Sequence, residues 1–94
     1  MKHDATMAAR LQKKLEAALS PLSLVIEDES AKHAGHAGAR EGGETHFRIR
    51  IVSESFAGLS RVERQRKVYA AVAEELAERV HALSLITLTP EEAG

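Results

Sequence analysis

Cysteine is absent from this chain of 94 residues. Its absence excludes disulfides, zinc or iron–sulfur centres held by the chain's own thiolates, and a thiol nucleophile. A metal bound here would rely on histidines, carboxylates or the thiolates of another molecule. Aromatic residues are scarce: Phe47, Phe56 and Tyr69 are all there are, so the core has to be built from Leu, Ile, Val and Ala. No apolar run nears the roughly 20 residues that a membrane helix needs. The first residues, Met1-Lys2-His3-Asp4, lead into an amphipathic pattern rather than a signal peptide. We therefore expect a soluble cytoplasmic protein without membrane association. The scattered Ser, His and Glu form no recognised nucleophile or acid–base arrangement, so no enzyme is expected.

What is present is an ordinary globular composition, 44% hydrophobic, in a chain short enough to bury only about 60% of its unfolded surface. One domain over residues 1–94 is expected, with a thin core. The net charge of −1 hides a division along the chain. Between Arg48 and Lys67 six Arg or Lys stand against Glu54 and Glu63, whereas between Glu74 and Glu92 five acids stand against Arg79. One end of the domain should be positive and the other negative.

Met7, Leu11, Leu15, Ala18 and Leu19 recur at helical spacing and predict a first helix, which should end near Ser20 because Pro21 disfavours helical geometry before it. In Leu22-Ser23-Leu24-Val25-Ile26-Glu27 the period of two predicts a strand with Leu22, Leu24 and Ile26 inward. Periodicity then lapses, and a glycine-rich flexible loop is expected over about 29–44, carrying His33 and His36. Thr45 to Val52 alternates cleanly, with Phe47, Ile49 and Ile51 inward and His46, Arg48 and Arg50 outward. After a turn at Ser53 to Gly58, Ser60-Arg61-Val62-Glu63 reads as a capping box that opens a long helix. Its apolar stripe is Val62, Tyr69, Val72, Ala73, Leu76 and Val80, which puts Arg64 and Lys67 on the wet side and Arg66 near the apolar arc, where Asp28 or Glu29 could pair with it. Ala82 to Leu88 is apolar on both faces except at Ser84 and Thr87 and predicts a strand with substantial burial. Thr89-Pro90-Glu91-Glu92 repeats the capping logic for a final stub of helix, with mobile ends at 1–5 and 91–94.

The order α-β-β-(short turn)-α-β-α implies an α+β domain with a three-stranded mixed sheet and helices on one face. Arg48, Arg50, Arg61, Arg64, Arg66 and Lys67 are candidate phosphate contacts, although a basic helix is more often only a solvated face and no Gly-x-x-Gly loop of the usual KH kind stands at the turn. His81, where the long helix meets the last strand, reads on periodicity alone as a half-buried structural residue. His46 reads as structural or as support for a nearby site.

Several joint motifs in order resemble the BolA family: Asp28-Glu29-Ser30 followed by His33, Gly43-Glu44-Thr45-His46-Phe47, Val52-Ser53 with Phe56-x-Gly58, Arg64-x-Arg66, Ala73-Glu74-Glu75-Leu76 and Val80-His81-Ala82-Leu83. The likeness runs from about Leu11 to Glu92. It departs at Gln65, where the family typically has histidine, in a longer loop that adds His36, and in a final helix that stops soon after Glu92. The resemblance implies a KH-like fold of the second type. It also implies binding to a monothiol glutaredoxin around a shared 2Fe-2S cluster with glutathione and, in some bacterial members, DNA binding as a transcriptional regulator. By the same resemblance His81 and His33 are the metal ligands, with His36 as an alternate, and the isolated chain, a monomer or weak homodimer, carries no cofactor. The cysteine count fits: imidazole can replace thiolate on a cluster iron, and a chain without thiolates could share a cluster only if partners supply the sulfur.

Overall fold

The strand with the cleanest alternation is the centre of the fold. In the computed structural model, which describes residues 6–29 and 46–94, β2 (His46–Val52) lies between β1 (Ser23–Asp28) and β3 (Ala82–Leu88). It pairs antiparallel with β1 and parallel with β3, giving the small α+β domain with a mixed sheet that the element order implied. Alternation dictates which residues face the helices: Phe47, Ile49 and Ile51 are buried, and the register sets Leu24 and Ile26 of β1 and Leu83 and Leu85 of β3 beside them. The other face carries His46, Arg48 and Arg50, flanked by Val25, Glu27, Ser84 and Ile86.

Among the described residues four helices pack with the sheet, α1 (Met7–Leu19), α2 (Arg61–Ala71), α3 (Ala73–Glu78) and the short α4 (Pro90–Ala93), and a 3-10 turn lies at Glu54–Phe56. In α1, Met7, Leu11, Leu15 and Leu19 recur every four residues and all are buried, while Ala18, expected on the same stripe, is exposed. Thr6 accepts a hydrogen bond from the Ala9 amide at 3.1 Å, and Ser20, left-handed at φ 45°, ends the helix before Pro21. Both predicted capping boxes form. Ser60 and Glu63 bond reciprocally at the start of α2, and Thr89 and Glu92 do so at α4.

The long helix departs from expectation in two ways. It breaks at Val72 (φ −116°, ψ 29°) into α2 and α3. Its buried face is also turned: Val68, Val72 and Glu75 are fully buried, whereas Val62 and Tyr69 are 53% and 40% exposed. At 100° per residue Arg64 stands about 40° from Val68 and Arg66 about 160° away, so the inward arginine is Arg64 and not Arg66. Two apolar residues on the wet side had set the wrong phase.

Strand β3 is an edge strand and less covered than its composition suggests. Leu83 and Leu85 pack on the core, but Ala82, Ser84 and Ile86 are exposed because none of the described residues forms a layer over that sheet face. Leu22 precedes β1 and is 66% exposed, though its amide still bonds to Val52 O at 2.8 Å. Glu29, expected to open the loop, continues the ladder instead, its amide donating to His46 O at 2.8 Å. The rest of the expected loop, with His33 and His36, lies outside the described residues, as do residues 1–5.

Candidate functional site

At the C-terminal end of α3 the chain is gathered onto one carbonyl: the amides of Arg79 and Val80 both donate to Glu75 O at 3.0 Å. Val80 is buried, which anchors the turn, and the next residue, His81, emerges exposed just before β3. The half-buried structural histidine anticipated from periodicity is therefore a presented one. Ala82 pairs with His46, the first residue of β2, so the two histidines stand side by side at one end of the sheet. Their ring centroids are 6.5 Å apart with the planes inclined by 28°. His33 and His36 fall outside the described residues. Among the described residues no group of three or more His, Cys, Asp or Glu could hold a metal, and no helix is long and apolar enough to cross a membrane.

A cluster of ion pairs braces this joint from below. Glu75 is fully buried, and its Oε2 lies 3.0 Å from Arg10 Nη2 and 3.1 Å from Lys14 Nζ, both on α1. Arg10 also forms a two-pronged pair with Glu78, at 2.7 and 2.9 Å, and Lys14 pairs with Glu74. Hydrogen bonding lowers the Glu78 carboxyl through Arg10 and the Glu74 carboxyl through Lys14, and raises both cations. Of the five acids of the expected negative end, the three on α3 are thus paired with two cations of α1, and Glu92 pairs with Arg64.

The six basic candidates do not form one patch. Arg48 lies on the open sheet face and pairs with Glu29 at 3.4 Å, taking a carboxylate expected for Arg66. Arg50 is on the same face, half-buried between Val25 and Ile86. Arg64 is an internal brace. Its guanidinium donates to Leu59 O and Thr87 O, each at 3.0 Å, grips Glu92 at 2.6 and 3.2 Å, and lies 5.9 Å from the centroid of the Phe56 ring. That grip, with the Thr89 amide, holds the Glu92 carboxyl at about 2. Arg61, Arg66 and Lys67 are exposed on α2 and are what remains of the helical basic surface.

The family model described as BolA-like protein matches residues 15–92. Protein BOLA1, chloroplastic, of Arabidopsis thaliana is 49% identical over 88 residues, which cover 92% of this chain and 55% of that protein. The chain therefore spans about half the length of that curated relative. The DNA-binding transcriptional regulator BolA of Escherichia coli (strain K12) is 42% identical over 83 residues, covering 88% of this chain and 75% of that one. The solved structure of BolA1 from Arabidopsis thaliana superposes with a TM-score of 0.83 at 45% identity, covering 100% of this chain and 99% of that chain. By the extent of the family match, the identity of its relatives and the shared fold, this chain belongs to the BolA-like family.

Proposed function

We propose that this protein is a non-catalytic partner that docks a monothiol glutaredoxin and donates His81 and His33 to a shared 2Fe-2S cluster, with glutaredoxin and glutathione supplying the sulfur ligands. The observation that carries this reading is His81 itself, an exposed imidazole at a joint that a buried valine and a paired strand hold still, in a chain without cysteine. The donor set fits the group: imidazole on a cluster iron is established chemistry, and it raises the reduction potential relative to all-thiolate ligation. The bound cluster would supply electron-transfer or transferable-cluster chemistry, which serves cluster trafficking or iron-linked regulation. His46 supports the site from the neighbouring strand, and His36 is an alternate to His33. A cytoplasmic location is part of this proposal.

Reconstitution with a monothiol glutaredoxin and glutathione tests it. Absorption and circular dichroism of the mixed complex are expected to change character in His81→Ala and more weakly in His33→Ala. A heterocomplex spectrum indifferent to His81→Ala would remove the ligand assignment.

A second reading, a DNA-binding regulator, is favoured by the name of the Escherichia coli relative and by the exposed Arg61, Arg66 and Lys67. Replacing these three with alanine should lower the slope of log affinity against log salt by up to about 0.9 per lost phosphate contact. An unchanged slope sinks the helix as a DNA contact.

A further inference from the structure

A sheet with β2 at its centre has two edges, and the chain protects them unequally. β1 is preceded by Pro21 and ends in Glu27 and Asp28, residues that discourage pairing with a further strand. β3 runs for 7 residues without a charge, a glycine, a proline or a break in register. The direction of its backbone groups follows from one bond. Leu88 O accepts the Ser53 amide just beyond β2, so Leu88, Ile86, Ser84 and Ala82 direct their backbone groups to β2, and by alternation those of Leu83, Leu85 and Thr87 point to the free edge. There Arg64 Nη1 donates to Thr87 O at 3.0 Å. The edge-facing groups of Leu83 and Leu85 form no hydrogen bond among the described residues.

We propose that β3 pairs antiparallel with β3 of a second copy of this chain, about a twofold axis through Ser84. In that register Leu83 and Leu85 of each copy exchange N–H···O bonds with Leu85 and Leu83 of the other, which leaves Thr87 O to Arg64. An axis through Leu85 would instead pair Leu83 with Thr87 and compete with Arg64. On the outer face Ser84 meets its own copy, and Ile86, 43% exposed, meets Ala82. On the helix face Leu83 and Leu85, half-buried at the edge, cover one another across the axis. The strand carries no charge, so self-pairing sets no like charges opposite each other.

The charges around the strand favour a second copy as the occupant. Because β2 and β3 are parallel, α2 begins beside the last residues of β3, where Arg61 and Arg64 line a groove with Leu88 and Glu92, and α3 ends beside the first. Antiparallel pairing therefore sets the exposed Arg61, Arg66 and Lys67 of one copy toward the Glu74 and Glu78 end of the other and keeps the two basic ends apart. The contact is isologous and closes at two copies. A strand pair of this length covers less than the roughly 1,200–2,000 Å² of a stable interface, so the dimer is weak, with a Kd on the order of 100 μM. No histidine and no metal takes part, so the pairing stands or falls apart from the cluster reading.

The chain has no cysteine, so one introduced thiol reports the register. Ser84→Cys lies on the axis in a non-hydrogen-bonded pair with Cα atoms about 4.5 Å apart, within reach of a disulfide. Mild oxidation should join it into a covalent dimer. Ile86→Cys is displaced from its own copy by roughly 13 Å along the strand and should crosslink only when mixed with Ala82→Cys. Sedimentation of the wild type from about 10 μM to about 1 mM should show dimer replacing monomer, with amide exchange at Leu83 and Leu85 slowing as it forms. Ser84→Lys sets two ammonium groups face to face at an exposed position and should raise the Kd by about tenfold or more, with an unchanged circular dichroism spectrum. Two outcomes would overturn the proposal: a chain still monomeric at about 1 mM, which leaves the edge to a strand of another molecule, and disulfides that form at Ile86→Cys as readily as at Ser84→Cys.

Discussion

Removing the carboxylate of Glu75 tests whether the ion cluster between α1 and α3 holds the histidine joint in place. The residue is fully buried, with Oε2 3.0 and 3.1 Å from two cations whose side chains are 30% and 34% exposed. Breaking a fully buried ion pair costs about 3–5 kcal/mol because the remaining charge is stranded. Here Arg10 and Lys14 keep Glu78 and Glu74 and can extend into water along their aliphatic stems. We therefore expect Glu75→Gln to cost about 2 kcal/mol, above the range of an exposed pair and below that of a fully buried one. In a domain of this size that lowers the melting temperature by roughly 8–16 °C. Urea unfolding should show the loss as a shifted midpoint with an unchanged slope. Glu75→Leu, which fills the same space without a polar group, should cost less than Glu75→Ala, which leaves a cavity. Because the Glu75 carbonyl accepts the Arg79 and Val80 amides, hydrogen exchange at those two amides should quicken in Glu75→Gln by more than at Ile49. A destabilisation below about 0.5 kcal/mol, the level of an ordinary surface substitution, would refute the buried-brace account.

Three further outcomes follow from the geometry. Val68→Ala should cost about 2 kcal/mol for two buried methyl groups and the space they leave, while Val62→Ala should fall within about 0.5 kcal/mol; equal costs in chemical denaturation would contradict the observed helix phase. Gly58 adopts φ +79°, and a methyl group on its Cα would meet no atom within 4 Å, so Gly58→Ala should cost about 1–2 kcal/mol from backbone strain alone, with Gly58→Asn milder because asparagine tolerates that region; thermal melts of the two variants check the order. Glu92 titrates at about 2 in the folded chain against an ordinary 4.5. A lowered carboxyl stabilises above the unfolded value, so its contribution is present at neutral pH and is lost as the pH falls from about 4.5 through about 2. Carbon-detected titration of the Glu92 carboxyl should show that low midpoint in the wild type and a return toward 4.5 in Arg64→Ala.

Strand faces were legible where period two is clean: Leu24 and Ile26, and Phe47, Ile49 and Ile51, face where alternation puts them, whereas Leu22 lies before the strand and is exposed, and β3, apolar on both faces in sequence, showed no alternation from which to read that only Leu83 and Leu85 turn inward. Caps were legible because Ser60 with Glu63 and Thr89 with Glu92 are local hydrogen-bond problems solved within four residues. The phase of α2 was not, since Val62 and Tyr69 lie on the solvated face and only the sheet beneath decides that Val68 turns inward. Nor was the fate of Glu75. An acid directly after another acid, Glu74, carries no local mark of burial; its partners, Arg10 and Lys14, come from the far end of the chain.

The same division explains what the family motifs do. Most of their residues hold the chain rather than meet a ligand. Glu29 pairs with Arg48 and extends the ladder to His46; Arg64 ties α2 to β3 and α4; Glu75 ties α3 to α1; Val80 plugs the core. What this bracing presents at one end of the sheet is His81 with His46 beside it. His46 was expected only as structural or as support for a nearby site; that it stands beside His81 follows from the register of β2 and β3, which no local period encodes. Arg64, a candidate phosphate contact, is a cross-link between α2, β3 and α4, and His81, structural by periodicity and a ligand by resemblance, faces outward. What the motif leaves unburied at this end of the sheet is imidazole, whereas on α2 it leaves Arg61, Arg66 and Lys67 exposed.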